Sequence, residues 1–415
     1  MCIQVRHLIR MSIENDSGRD CGFNRRRMEE SMINNRLCIL YPGSVYPLQN
    51  GGTHRTLNIA KLGTDMFSQV SVLTVDEKKT YERKLDSVQL IQAKKFRDPF
   101  DKLKYYFDGA FSPNFSLKTP FIEPYLNDLT IFQIEGPYFY NALKKNGIKK
   151  FILNEHNVYW EFGQNPLFNI KDIIFSRLSS KRNKSLEIKA LKDAAHVLAC
   201  SDRDAHVLID KVPEVKNKIT IIPNCVNFKE YLSFQIDHPR VRDESESLFA
   251  VIFIGLLTYP PNRDAVEIIS SRIAPKFGKE VQFLIIGQNP PNISKPANVR
   301  FLGYVEDVKK YILNSDICIA PLRYGSGTRL KILEYMAMGK PVVSTSKGAE
   351  GIDYTNYQDI VIEDDYKKFT ERIAGLLENR AMREQLGKNA QQLIQNKYDW
   401  EIYRKPLHDA YETCF

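Results

Sequence analysis

The richest run of chemically useful side chains lies between Pro321 and Thr345, PLRYGSGTRLKILEYMAMGKPVVST. An apolar run over 317–322 leads into Gly325, Ser326 and Gly327, and helical spacing starts directly afterwards. Glycines ahead of a helix let the backbone approach an anion, which the first-turn N–H groups and the helix dipole then attract. On the expected helix Leu330, Leu333 and Ala337 share one face, which should pack on a sheet. Gly327, Lys331 and Glu334 share another, aimed across a cleft. A cation one turn from a phosphate site, with a carboxylate further along, suits a nucleoside diphosphate bearing a diol. Without a ligand the same residues read as a loop and a Lys331–Glu334 surface ion pair.

Other residues could face the same cleft. His156 follows the apolar run Phe151–Leu153 and is flanked by the polar Asn154, Glu155 and Asn157. His54 and Glu135 also fall at expected strand ends or loops. Ser201-Asp202-Arg203-Asp204 contains two acids at a spacing that elsewhere holds a metal. Here it follows a strand and opens a helix, so Ser201 as N-cap with acids in the first turn accounts for it. No His/Cys/Asp cluster offers another site, and no metal is expected.

The elements that must position these groups recur with a rhythm. Short apolar runs at 36–41, 70–75, 88–93, 129–134, 151–154, 196–201 and 219–223 alternate with helical patterns, beginning with 53–62. After a polar stretch a second series follows at 248–255, 281–287, 299–304, 316–322, 341–345 and 359–363. Strands alternating with helices predict parallel sheets covered on both faces. The fold class expected is α/β, with two doubly wound Rossmann-like domains facing across a cleft and a C-terminal helix closing the chain. The boundaries are a disordered tail at 1–34, an N-terminal domain at 35–226, a hinge at 227–247, a C-terminal domain at 248–397 and a closing helix at 398–415. Ligands of open parallel sheets sit beyond the carboxyl ends of the strands.

Composition agrees with a folded chain. Of 415 residues, 43% are hydrophobic and 26% charged, against a mostly disordered protein. No run of eighteen apolar residues predicts a membrane span, and the N-terminus lacks a secretory apolar core. Seven scattered cysteines without a CxxC pair point to reduced thiols and a cytoplasmic protein. The net charge of +9 favours anionic partners, and no nucleic-acid-binding signature accompanies it. The excess concentrates at 141–190, where ten Lys/Arg face four Asp/Glu. There Ile170, Ile173, Ile174 and Leu178 recur at helical spacing among cations, as in a helix lying on an anionic membrane surface. Such a helix implies peripheral attachment, and its alternative is an apolar face packed inside the domain.

Several segments together resemble GT-B-fold glycosyltransferases of family 4, the group 1 glycosyltransferases, from about Leu37 to Tyr403. Pro321–Thr345 resembles the signature region, and Asn50-Gly51-Gly52 resembles the first glycine loop. His156 resembles the histidine that contacts the donor sugar, and Ala199-Cys200-Ser201 a strand end of the N-terminal domain. Residues Ile221–Asn227, IIPNCVN, are similar to the linker entry, with Cys225 where the family has glycine. The runs ending at Gly255, Gly287 and Gly303-Tyr304 are similar to donor-domain strand ends. Two departures stand out. Of the family's two glutamates Glu334 holds the second place, and Ser326 stands at the first. The Arg and Lys that follow the first donor-domain strand are missing, with Leu256 at the arginine's place.

The resemblance implies a metal-independent retaining hexosyltransferase-like enzyme with no cofactor beyond its nucleotide-diphosphate sugar donor. Its acceptor would be a saccharide or lipid-linked saccharide in polysaccharide or glycoconjugate biosynthesis. In that picture Glu334 accepts from ribose hydroxyls, while the Gly327 and Thr328 amides, Ser326, Arg329 and Lys331 meet the diphosphate. Gly51 and Gly52 approach from the opposite domain, and Gly255, Gly303 and Tyr304 border the nucleotide. His156, Arg329, Lys331 and Glu334 are the catalytic candidates. Arg329 and Lys331 stand in for the missing basic pair by inference, with Arg263 a weaker choice. Two alternatives remain: a sugar-nucleotide epimerase on the same architecture, and a non-catalytic partner subunit.

Overall fold

The computed structural model describes residues 34–46, 51–76, 81–94, 122–160, 184–238, 248–325 and 327–415. The expected tail up to residue 33, the amphipathic segment Ile170–Leu178 and Ser326 lie outside these residues.

The N-terminal sheet has eight strands in the order β3-β4-β2-β1-β5-β6-β7-β8. They are β1 Arg36–Tyr41, β2 Gln69–Asp76, β3 Tyr81–Leu85, β4 Val88–Lys94, β5 Thr130–Glu135, β6 Phe151–Asn154, β7 His196–Ala199 and β8 Ile219–Ile221. All pairings are parallel except β3 with β4. The period of two decides the layers. Along β1, Leu37 and Ile39 enter one apolar cluster, and Cys38 and Leu40 enter the cluster on the opposite face. Strand β3 was not expected, since YERKL is mostly charged and exposed. Such an edge strand gives little apolar signal and discourages edge pairing.

The second sheet is entirely parallel, in the order β11-β10-β9-β12-β13-β14. Its strands are β9 Phe249–Ile254, β10 Val281–Ile286, β11 Val299–Gly303, β12 Ile317–Ala320, β13 Val342–Ser344 and β14 Val361–Ile362. Val251 and Phe253 pack on one face and Ile252 on the other. The single helix expected over 261–277 is three pieces: an α-helix Pro260–Ile268, a π-turn Ile269–Ile273 and a 3₁₀ turn at Ala274–Lys276. Pro275 cannot donate to the ladder, which explains the last break.

Two differences bear on the site. The polar stretch expected as hinge carries the helix Phe228–Asp237, and its Phe228 and Tyr231 are buried with the second sheet's cluster. The closing segment, a 3₁₀ turn Trp400–Tyr403 and helix Arg404–Glu412, returns to the first sheet. Its Trp400, Leu407, Ala410 and Tyr411 belong to the cluster of Leu37 and Ile39. No helix among the described residues is long and apolar enough to cross a membrane.

Candidate active site

A cleft of about 1040 Å³ opens between the carboxyl ends of the two sheets. On its first-sheet side it is lined by Gly51, Gly52, His54, Glu135 and His156. On the second-sheet side lie Gly255, Tyr304, Gly327, Thr328, Arg329, Lys331 and Glu334. The sequence motifs thus converge on one space, although 278 residues separate the first glycine of one wall from Arg329 of the other.

The helix Leu330–Ala337 is pinned to the second sheet from beneath. Fully buried Tyr335 accepts a hydrogen bond at its hydroxyl from the Ile254 N–H, 2.8 Å away at the end of β9. Ile332, Leu333, Met336 and Ala337 are buried alongside it. Leu330, expected on that packed face, packs against the same cluster while half-buried and also lines the cleft. A Cβ on Gly51 would lie 4.0 Å from Leu330 Cβ, so the two walls meet there in ordinary contact.

Glycine geometry sets how near the walls come. Gly327 has φ +79°, and an added Cβ would sit 2.5 Å from Asn157 Oδ1 of the first domain. A side chain there is strained by the backbone and blocked by the facing wall. Beside Gly255 an added Cβ would lie 2.6 Å from Asn262 Nδ2 and 2.8 Å from Lys331 Nζ. Lys331 Nζ therefore occupies the space over the glycine that follows β9. This is the side of the sheet where the missing basic pair was expected.

Lys331 and Glu334 take separate partners rather than forming the surface ion pair. Lys331 Nζ donates to Asn262 Oδ1 at 2.7 Å and stands 4.2 Å from the centre of the Phe253 ring. Glu334 Oε1 accepts from the Tyr231 hydroxyl at 3.1 Å. Burial pushes Lys331 down to about 7, and the Arg329 charge adds to that. Burial pushes Glu334 up to about 7, against the Tyr231 hydrogen bond and the Lys331 charge. Burial is the first cause of both shifts, and each works against the charged form. Arg329 occupies the N-cap position without a side-chain cap bond and donates Nη1 to Gly327 O at 2.8 Å, bracing the loop it follows.

On the opposite wall His156 Nε2 lies 2.5 Å from Glu135 Oε2. The Tyr41 ring meets the imidazole edge-on at 6.4 Å between centroids. Burial would raise the Glu135 carboxyl, but hydrogen bonding and charge from His156, with bonds from Gln133 and Thr56, hold it below its ordinary value.

Some sequence candidates stand apart. Gly303 ends β11 with φ +69° and accepts from the Gly287 N–H behind the strand end; it is not among the cleft's lining residues. Its neighbour Tyr304 lines the cleft and is 70% exposed. Arg263 pairs with Glu267 one turn along an exposed helix face, 3.6 Å away. Arg323 is engaged by Asp264 through two hydrogen bonds. Ser201 Oγ accepts from the Asp204 N–H at 3.1 Å, as the N-cap reading requires.

The comparisons with known proteins agree with this geometry. The family described as glycosyl transferases group 1 matches residues 249–379, which hold the second sheet and the Gly327–Glu334 segment. A sucrose-phosphate synthase from Thermosynechococcus elongatus superposes with a TM-score of 0.67 over 91% of this chain and 98% of that one, at 14% identity. HepE of Anabaena in complex with UDP-glucose gives a TM-score of 0.61 over 91% and 100%, at 13% identity. The chain has the GT-B fold, and its second domain matches the group 1 glycosyltransferase family. It is 24% identical over 247 residues to the capsular polysaccharide biosynthesis glycosyltransferase CapM of Staphylococcus aureus. That match takes in 55% of this chain and 64% of CapM.

Within this GT-B frame four residues matter that the sequence reading passed over. Asn262 tethers Lys331, Tyr231 tethers Glu334, and Tyr335 anchors the helix that carries both. Asn224 donates Nδ2 to Thr328 O at 3.3 Å, linking the end of the first domain to the glycine loop of the second. Only Asn224 gave a signal, as part of the linker motif Ile221–Asn227. The contacts of the others join segments 69 to 103 residues apart, and no local pattern encodes them.

Proposed function

We propose that the chain transfers a hexose-like sugar from a nucleoside-diphosphate donor to a saccharide or lipid-linked acceptor, with retention of anomeric configuration, in the assembly of a polysaccharide. The observation that carries this reading is the convergence of the Gly327 loop, Lys331 and Glu334 in one cleft with His156 facing them. The names of CapM and of the UDP-glucose complex support the pathway and donor class.

The chemistry follows from what each group can do. The ribose diol donates to Glu334, and the diphosphate lies between the Gly327–Thr328 backbone and the ammonium of Lys331. As the sugar–phosphate bond breaks, negative charge builds on the leaving oxygen, where a fixed cation in a water-poor cleft acts most strongly. Arg329 holds the loop and adds positive potential. His156 meets the sugar from the other wall. Retention places the acceptor hydroxyl on the face the diphosphate leaves, so the departing phosphate oxygen takes its proton. Metal-independent transfer accords with a leaving group met by Lys331 and Arg329. Closure of the domains excludes water and limits donor hydrolysis.

The experiment has two stages. UDP-, GDP- and ADP-sugars are screened for a rise in melting temperature, since a ligand of the folded state stabilises by mass action. The stabilising donor is then incubated with saccharide acceptors, and the product's new linkage is read by NMR. Product from donor alone would indicate an epimerase. Stabilisation without turnover on any acceptor would indicate a partner subunit. Association with an acidic membrane face through the 141–190 stretch is tested by flotation with anionic and neutral vesicles. Floating with anionic vesicles only, and losing it as salt rises, is the expected result.

A further inference from the structure

Behind His156 a continuous set of hydrogen bonds runs through the first domain to the closing helix. Tyr411 donates its hydroxyl to Gln133 Oε1 at 2.5 Å, and Gln133 Nε2 donates to Glu135 Oε1 at 2.5 Å. Thr56 Oγ1 and Asn154 Nδ2 each lie 2.9 Å from Glu135 Oε2, the oxygen that also meets His156. Asn154 Oδ1 in turn accepts from Arg55, with Nε at 3.1 Å and Nη2 at 2.8 Å. Arg55 Nη1 reaches Ile222 O at 2.5 Å. Arg55, Thr56, Gln133, Glu135 and Asn154 are all at most 1% exposed.

The direction of the Arg55–Asn154 bonds is not free. A guanidinium can only donate, so Asn154 must turn Oδ1 to Arg55 and Nδ2 to Glu135. Tyr411 holds Gln133 Oε1, which leaves its Nε2 for the carboxylate. With Thr56 Oγ1 donating as well, three neighbours give Glu135 a hydrogen, and an ionised carboxylate is the form that can accept them all. The fourth donor at Glu135 is the imidazole, so Nε2 carries its hydrogen. The remaining ring nitrogen, Nδ1, belongs to a side chain that lines the cleft.

A buried carboxylate with this many polar partners is a poor device for stability alone, because apolar residues of equal volume do as well or better. Orienting a histidine through its far nitrogen, by contrast, needs such a partner. We propose that Glu135 is a positioning residue that fixes His156 as the Nε2–H tautomer, so that the neutral ring offers Nδ1 as an acceptor for a substrate hydroxyl. The role of the hydroxyl's owner, the bound sugar, rests on the proposed transfer reaction. The tautomer does not. Arg55 and Asn154 act one step further back, since they set the hydrogen-bond sense at Glu135.

The first arm of the test needs no substrate. Long-range ¹H–¹⁵N spectra of the neutral histidine rings are recorded on the full chain, with His156 assigned by its loss in His156→Asn. A protonated Nε2 and a bare Nδ1 are expected; the opposite tautomer, or an even mixture of both, overturns the proposal. The second arm is a double-mutant cycle of Glu135→Gln and His156→Asn, measured as kcat and KM on the donor selected by the thermal screen. Glu135→Gln keeps the side-chain volume and should lower kcat about tenfold in the parent, the scale of one lost charge-assisted hydrogen bond. In the His156→Asn background it should change kcat little. Equal losses in both backgrounds, with both proteins folded by melting temperature, mean that Glu135 does not act through His156. If no donor is turned over, the transfer reading fails while the spectra still decide the tautomer.

Discussion

The Tyr231 hydroxyl donates to Glu334 Oε1 across 3.1 Å, joining the helix Phe228–Asp237 to the helix Leu330–Ala337. The proposed ribose acceptor is therefore oriented by a residue outside its own motif. Glu334→Gln should weaken nucleotide binding and donor use by roughly 1.5–3 kcal/mol, the cost of a hydrogen bond to a charged group. Tyr231→Phe should cost less, about 0.5–1.5 kcal/mol, because the carboxylate remains but is no longer held. Calorimetric titration with the nucleoside diphosphate checks both, and binding unchanged in a folded Glu334→Gln protein would remove Glu334 from the site.

Lys331 should make binding depend on pH. Its ligand-free pKa of about 7 lies below its ordinary 10.5 because burial disfavours the charge. A diphosphate beside it restores the proton, so binding above about pH 7 should take up a proton and weaken as pH rises further. The same shift means that the folded, ligand-free chain binds fewer protons than the unfolded chain between those values. This residue's contribution to stability therefore rises with pH across that window. Titrations in two buffers of different ionisation enthalpy measure the uptake, which should vanish in Lys331→Met.

Arg329 and Arg323 should separate cleanly. Arg329→Ala is expected to lower kcat more than affinity, as for a charge felt mainly when the leaving group departs. Arg323, half exposed but paired with buried Asp264, should be replaceable by Ala with donor turnover near the parent and a stability cost of about 1–3 kcal/mol for the carboxylate left without its donors. Steady-state kinetics of the two variants, side by side, give the answer. A normal Arg329→Ala enzyme would shift the missing positive charge elsewhere.

Gly327→Ala tests how closely the walls must meet. The positive φ costs an alanine about 1–2 kcal/mol, and the new Cβ would press on Asn157 Oδ1. A modest fall in melting temperature and a large fall in kcat are expected. Full activity would show that the walls need not approach at this point.

The closing helix should stabilise the first domain, although it follows the second in sequence. Leu407→Ala removes a fully buried side chain from the cluster of Leu37 and Ile39 and should cost about 2–5 kcal/mol. Denaturant unfolding followed by tryptophan fluorescence reports this loss, since Trp160 and Trp400 both pack in the clusters of the first sheet.

Local sequence determined the elements and their class. Apolar runs of strand length separated by helical patterns specify parallel strands, because both faces of such a strand are buried and the side-chain period of two is filled throughout. The face shared by Lys331 and Glu334 follows from helix geometry alone and was legible, whereas Gly327, expected on that face, lies in the loop ahead of Leu330 with φ +79°. Tertiary structure decided the rest. Strand β3 was illegible because its burial is slight. The helix Phe228–Asp237 was read as hinge because its apolar partners lie in the second domain. The break after Ile268 depends on packing against neighbours. The partners of the functional groups, Asn262 for Lys331, Tyr231 for Glu334 and Glu135 for His156, are set when distant segments meet. A hydrogen bond depends on distances of a few ångströms in space, and separation along the chain carries no record of them.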